Sequence, residues 1–370
     1  MNTFISMAVQ GVRQLQPYQP GKPIDELERE FGIGNIVKLA SNENPLGPSP
    51  LALKAIQSAP LELSRYPDGN GHNLKMDLGE RLGVNPGQIT LGNGSSDVLD
   101  IISRVFLGQG REAVFSEHAF AMYPILTQAV GATARIAPAL GAATEMHYGH
   151  DLEAMRNLIG EQTRIVFIAN PNNPTGTFVG KIALENFIAD LPTNVVCVVD
   201  EAYFEYVDNS DYPDSLDWLC RFPNLIVTRT FSKAYGLAGL RIGYGVSNLE
   251  IADLLNRVRQ PFNVNSVALA AARAAIKDTK HLDNLRALNS RGLIQLGGAM
   301  EALGLGVLPS AGNFLCIDLK QSAGPVYDAL LRMGVIVRPI QGYGLPNHIR
   351  VTVGTQEENR LFIQAMKQVL

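Results

Sequence analysis

Residues 194–200 read NVVCVVD, five consecutive apolar residues, four of them valine, closed by a carboxylate. A run this short and this β-branched reads as a strand buried on both faces rather than as a helix. Upstream, RIVFIAN (164–170) has the same character and runs into NPNNPTG (170–176). Downstream, NLIVTRT (224–230) and RIGYGV (241–246) follow. Shorter strand signals stand at 89–91, 113–115 and 133–136. Helical periods lie between them at 96–106, 122–130, 152–159 and 182–189. Apolar strands alternating with helices predict an α/β fold, a mostly parallel sheet covered on both faces.

After residue 251 the pattern is helical to about 303, broken at 261–265. It then changes to strands at 313–319, 335–338 and 348–353 with helices at 326–333 and 356–370. This predicts a second, smaller α+β unit. The first forty residues are punctuated by Pro17, Pro20, Gly21 and Pro23, with one amphipathic stretch at 24–31, and read as an arm. The expected division is an arm (1–44) packing with the small domain and a partner subunit, a large domain (45–265) and a small C-terminal domain (266–370).

The chain of 370 residues carries 31 basic and 35 acidic side chains, a net charge of −4, with 46% hydrophobic residues. That composition is globular, and a mildly acidic chain lacks the basic footprint of a nucleic-acid binder. No run of about 18 apolar residues predicts a membrane span, and the N-terminus lacks the pattern of a secretory signal. Three widely spaced cysteines (Cys197, Cys220, Cys316) fit reduced thiols in a cytoplasmic protein. His147 and His150 have HxxH spacing without a third ligand, so no metal site is expected and both read as surface residues.

Four motifs bear chemistry. LGNGSSDVLD (91–100) places Gly92 and Gly94 before a helix opened by Ser95 and Ser96, a cradle for one phosphate group or a plain helix cap. NPNNPTG lies at the carboxyl end of a buried strand, where open α/β sheets bind ligands, although its composition also makes a turn. In VVDEAYFEY (198–206) Asp200 ends the most apolar strand and needs a cation or several donors, with Tyr203 close by. In TRTFSKAYGLAGLRIGY (228–244) Lys233 sits among small and apolar residues that favour an amine nucleophile. Thr230, Ser232 and Arg241 flank it; taken singly, a solvated lysine and a surface arginine explain the motif as well. Together the four match one cofactor, pyridoxal 5′-phosphate, which has a phosphate, a phenolic oxygen, a ring nitrogen and an aldehyde.

On SNENP, RYPDG, NPNNPTG, DEAYFEY, TFSKAYGLAGLRIGY and HIRVTVGTQEEN the sequence resembles the fold type I pyridoxal-phosphate aminotransferases, and within them the histidinol-phosphate aminotransferase family, from about residue 15 to the end. The resemblance implies a large domain with a mostly parallel seven-stranded sheet and a smaller C-terminal α+β domain. It implies that Lys233 holds the cofactor covalently and later moves a proton, that Asp200 pairs with the ring nitrogen, and that Asn173 and Tyr203 bond the phenolic oxygen. Ser95, Ser96, Thr230, Ser232 and Arg241 would bind the phosphate. Phe120, in SEHAFAMY, would stack on the ring in place of the tyrosine of many members. Tyr66 would reach the cofactor phosphate of the neighbouring subunit in a homodimer. Tyr18, Asn44, Arg338 and Arg350 would bind substrate, the two arginines sharing a phosphate or a carboxylate. His118, beside Phe120, reads as a packed loop histidine. The implied reaction moves an amino group between L-glutamate and imidazole-acetol phosphate, giving L-histidinol phosphate and 2-oxoglutarate. An aromatic amino acid aminotransferase and a threonine-phosphate decarboxylase on the same scaffold are the alternatives.

Overall fold

The structure is a computed structural model that describes residues 3–59, 63–141 and 143–370. Its strands in chain order are β1 (Val37–Lys38), β2 (Ile89–Gly92), β3 (Glu112–Ser116), β4 (Thr133–Ala137), β5 (Thr163–Ala169), β6 (Val196–Asp200), β7 (Leu225–Thr230) and β8 (Gly243–Val246). The remaining strands are β9 (Gly306–Val307), β10 (Phe314–Asp318), β11 (Val335–Ile336), β12 (Arg338–Pro339) and β13 (His348–Thr352). Strands β2 to β8 form one sheet in the order β2-β8-β7-β6-β5-β3-β4.

The sheet is parallel except at β8, which runs antiparallel to both β7 and β2. Between β7 and β8 there is no crossover helix, only a loop with one 3-10 turn at Ala238–Leu240. A chain without a crossover can return only antiparallel. That returning loop carries Lys233.

Alternate residues of the central strands serve two cores. Val166, Ile168, Cys197 and Val199 belong to one buried cluster, with Phe187 and Leu78. Ile165, Phe167, Val196 and Val198 belong to another, with Val98, Ile102 and Phe115. Burial on both faces is why these strands read as continuous apolar runs.

The small unit is an antiparallel sheet, β12-β13-β10-β9, over a separate cluster that includes Leu315, Ile317, Ile349, Val351 and Phe362. The helix Thr279–Ala302 bridges the two units: Leu282 and Leu285 pack in the large-sheet cluster, Leu296 and Met300 in the small one. The preceding helix Ser266–Ala275 buries Ala268, Ala271 and Ala272 in the large-sheet cluster.

The stretch expected as one strand at 335–338 is two. β11 pairs parallel with β1 of the arm, and β12 pairs with β13. Leu39 continues the tie: its N–H donates to Ile336 O at 2.7 Å and its carbonyl accepts from Thr352 N–H at 2.8 Å. Among the described residues no helix is long and apolar enough to cross a membrane. His150, expected at the surface, is buried. Its Nε2 lies 2.8 Å from Ala169 O, and burial pushes its pKa down to about 4. A carbonyl only accepts, so Nε2 carries the proton.

Candidate active site

The carboxyl ends of β5, β6 and β7 and the N-terminus of helix Ser95–Phe106 converge where the small unit closes over the sheet. A cavity of about 180 Å³ lies there. Of the residues singled out in the sequence, Ser95, Ser96, Phe120, Asn173, Asp200, Tyr203, Thr230, Ser232, Lys233 and Arg241 line it, together with Tyr18, Arg338 and Arg350.

Lys233 is half-buried, and its Nζ donates to Ser41 O at 2.9 Å. Burial lowers its pKa to about 7; Arg350 and Arg241 add to the effect and Glu43 opposes it. The neutral, nucleophilic amine is therefore reached at a far lower pH than for a solvated lysine.

Asp200 is buried with neutral partners. Thr228 Oγ1 donates to Oδ1 at 2.9 Å and the Tyr123 phenol donates to Oδ2 at 3.1 Å. Burial raises its pKa to about 6 while these two donors pull it down, and no cation contributes. A buried carboxylate in this state is complementary to a cationic N–H. The Tyr203 hydroxyl accepts from Asn42 Nδ2 at 2.8 Å, and burial pushes its pKa up to about 12 against the pull of Arg350 and Asn42.

At the other end the helix opens at Ser95 behind Gly94, which has φ of 88°. A β-carbon on Gly94 would lie 2.4 Å from Arg241 Nη2, and one on Gly243 would lie 2.3 Å from Ser95 N. Both glycines hold open a cradle of helix-start amides, hydroxyls and one guanidinium. Arg241 Nη1 donates to Ser232 Oγ at 3.3 Å. This donor set suits a phosphate.

The small unit contributes two guanidiniums. Arg350, 5% exposed, donates through Nη1 to Asn173 Oδ1 and through Nη2 to Ala40 O, while its buried Nε has no protein partner. Arg338 donates to Gln19 O and lies 5.8 Å from the centre of the Tyr18 ring. An orphaned guanidinium N–H beside a second arginine is complementary to an anion.

Two residues are placed elsewhere. Asn44 donates to Ala234 O at 2.9 Å and accepts from Leu46 N–H at 2.8 Å, so it braces the loop after Lys233. Tyr66 is 82% exposed and stacks on Phe262 at 4.6 Å between ring centres. The sequence reading missed Ser41, Asn42, Tyr123 and Thr228. Thr228 was within reach: it is the cross-strand partner of Asp200 and lies two residues before Thr230 on the same face. Among the described residues no group of three or more His, Cys, Asp or Glu is placed to hold a metal ion.

The phosphate cradle, the carboxylate without a cation and the lowered lysine suit a fold type I pyridoxal-phosphate enzyme, and the chain belongs to the class I and II aminotransferases, whose family model matches residues 34–366. The relatives it resembles narrow this further. It is 58% identical to histidinol-phosphate aminotransferase 2 of Pseudomonas aeruginosa over 100% of this chain and 99% of that protein. It is 59% identical to the protein of that name from Methylococcus capsulatus, again over 100% and 99%. Among solved structures it is similar to histidinol-phosphate aminotransferase from Sinorhizobium meliloti in complex with pyridoxal-5′-phosphate, at 29% identity and a TM-score of 0.88 over 98% of this chain and 97% of that one.

Proposed function

We propose that the chain transfers the amino group of L-glutamate to imidazole-acetol phosphate, giving L-histidinol phosphate and 2-oxoglutarate, with pyridoxal 5′-phosphate as cofactor. The observation that carries this reading is one cavity lined by a lowered lysine, a buried carboxylate without a cation and two arginines. Relatives matching end to end under the histidinol-phosphate aminotransferase name support it.

The residues fit the cofactor. Ser95, Ser96, Thr230, Ser232 and Arg241 would hold its phosphate, Asn173 and Tyr203 its phenolic oxygen, and Asp200 its ring nitrogen, with Phe120 on the ring face. When bound, the cofactor supplies an aldehyde that links to amines and a ring that takes up the electron pair released at the substrate Cα. Lys233 Nζ supplies the linking amine and then carries the proton from the substrate Cα as general base. Asp200 keeps the ring nitrogen protonated by holding a negative charge against it. Arg350 and Arg338 orient the substrate by its anionic end, with Tyr18 of the arm beside Arg338.

An arm (1–44), a large domain (45–265) and a small domain (266–370) are part of the same proposal, but helix Ser266–Ala275 packs in the large-sheet core, so the passage between the two cores falls within helix Thr279–Ala302. So is a homodimer. Tyr66 and Phe262, which stack on each other, and Leu51, Leu53 and Leu63 are all exposed, apolar side chains of the kind a second copy would cover. The reducing cytoplasm suits the three free thiols.

Absorbance tests the reading. The cofactor's visible band is expected to bleach with glutamate and to return with imidazole-acetol phosphate but not with phenylpyruvate. Return with both at similar rates would instead indicate a broad aromatic enzyme. A band unchanged by Lys233→Ala would remove the cofactor role of Lys233.

A further inference from the structure

His118 sits two residues before Phe120 in the loop that follows β3, and it is 5% exposed. Its Nδ1 lies 2.6 Å from the main-chain oxygen of Tyr343. Because a carbonyl can only accept, Nδ1 is the protonated nitrogen and donates. Tyr343 belongs to the 3-10 turn Gln341–Tyr343, which joins β12, with Arg338, to β13, with Arg350. The phenol of the same Tyr343 lies close enough to the main chain of Ala121 for that backbone to oppose the rise in its pKa that burial causes. One small-domain residue therefore meets the loop on both sides of Phe120, through a hydrogen bond to its carbonyl at 118 and through its phenol beside 121.

The loop is held from beneath as well. Asn172 Nδ2, in the NPNNPTG segment, donates to the main-chain oxygen of His118 at 3.0 Å. The His118 ring meets Tyr148 edge-on at 5.5 Å. Beyond Phe120 the chain continues into Tyr123, whose ring stands edge-on to Phe120 at 5.8 Å and whose hydroxyl donates to Asp200. A path of hydrogen bonds, main chain and one ring contact thus joins the strands of Arg338 and Arg350 to Phe120 and to Asp200.

We propose that His118 and Tyr343 form a clasp between the two domains that positions Phe120 over the cofactor site in step with the arginine-bearing strands. The catalytic use of the clasp rests on the aminotransferase reading above; its existence does not. His118 and Tyr343 are positioning residues. They act through Phe120, and a displacement of about 1 Å at such a residue can cost up to a hundredfold in rate.

The test uses His118→Leu, which removes the donor, His118→Asn, whose amide nitrogen takes the place of Nδ1, and Tyr343→Phe, which removes only the hydroxyl beside Ala121. Amide exchange over residues 118–123 is measured on the cofactor-free chain. The visible circular dichroism of the cofactor band and the kcat and KM for glutamate are measured on the holoenzyme. Exchange about tenfold faster in His118→Leu and at Ala121 in Tyr343→Phe is expected, with kcat about tenfold lower, an altered dichroic band, KM within about twofold, and recovery in His118→Asn. Parental exchange in both His118→Leu and Tyr343→Phe would overturn the clasp. Faster exchange with an unchanged kcat and dichroic band would overturn its positioning role, as would an asparagine variant as impaired as the leucine one. A chain whose exchange responds as expected but which transfers no amino group refutes the functional reading and leaves the clasp standing.

Discussion

Arg338 and Arg350 are direct cross-strand partners on β12 and β13. Residues opposed in this way put their side chains on the same face, where like charges destabilise the pair. The protein partners of these guanidiniums are neutral oxygens of Gln19, Asn173 and Ala40. Under the proposed function, a doubly charged anion shared by both guanidiniums would offset that repulsion. Replacing Arg338 with Gln is therefore expected to lower kcat/KM for imidazole-acetol phosphate by about 10- to 100-fold, the value of a charge-assisted hydrogen bond. It should cost a substrate with only a carboxylate, such as phenylpyruvate, much less. Steady-state kinetics with both substrates decides this, and equal losses would remove phosphate reading from Arg338.

Asp200 gives a pH dependence of stability whose direction is fixed by its environment. Burial holds its pKa at about 6 in the folded chain, above the ordinary carboxylate value, so the folded state binds its proton more tightly than the unfolded state does. Its contribution is fully present below about pH 4 and is lost as pH rises through about 6, a loss of up to about 3 kcal/mol. In the cofactor-free protein Asp200→Asn removes that loss. Its melting temperature should exceed the parent's at pH 8 and match it near pH 4. Loaded with cofactor, the same variant should be at least about a hundredfold less active, because the charge at the ring nitrogen is gone. Melting curves of both proteins across this pH range, with one activity assay, check both halves.

Lys233 moves the other way. Burial, with Arg350 next, lowers its pKa to about 7, so the neutral amine is the form the fold prefers. Its contribution to stability is absent below pH 7 and grows as pH rises from there toward the ordinary lysine value of about 10.4. Labelling of Lys233 in the cofactor-free protein by a small amine reagent, followed by mass spectrometry, should show a midpoint near pH 7. Arg350→Met should raise that midpoint by removing a nearby positive charge. A midpoint near 10 in the parent would mean the amine is solvated and not poised for linkage.

What the sequence made legible follows from how locally each feature is encoded. The central strands β5, β6 and β7 are short apolar runs between turn formers, so their burial and the position of Asp200 and Lys233 beyond them could be read directly. β1 could not. Val37 and Lys38 are two residues with no period, and their partners lie about 300 residues away on β11. Asn42 and Tyr123 act on Tyr203 and Asp200 across long separations, with no spacing to announce them. His150 looked solvated because HxxH in a polar stretch carries no signal that Ala169 O would accept a hydrogen bond from its Nε2–H. Asn44 stands in a motif whose turn chemistry gave no hint that its amide would be spent on Ala234 and Leu46.

The phosphate cradle offers a test that touches no hydrogen-bonding side chain. A β-carbon on Gly243 would sit 2.3 Å from Ser95 N and 2.8 Å from Gly94 C, which are backbone atoms that cannot swing aside. Gly243→Ala must therefore push the start of helix Ser95–Phe106 away from β8, at a cost of about 1–3 kcal/mol. The helix-start amides and the Ser95 and Ser96 hydroxyls move with it, so cofactor affinity should fall by about tenfold or more, the loss of one or two hydrogen bonds to a charged group. Gly239, in the same β7–β8 connection, has nothing within 4 Å of its added β-carbon, so Gly239→Ala should bind cofactor as the parent does. Fluorescence titration of the cofactor-free variants with pyridoxal phosphate, beside their melting temperatures, separates the two. Parental affinity in Gly243→Ala would mean that the phosphate is held away from the start of this helix.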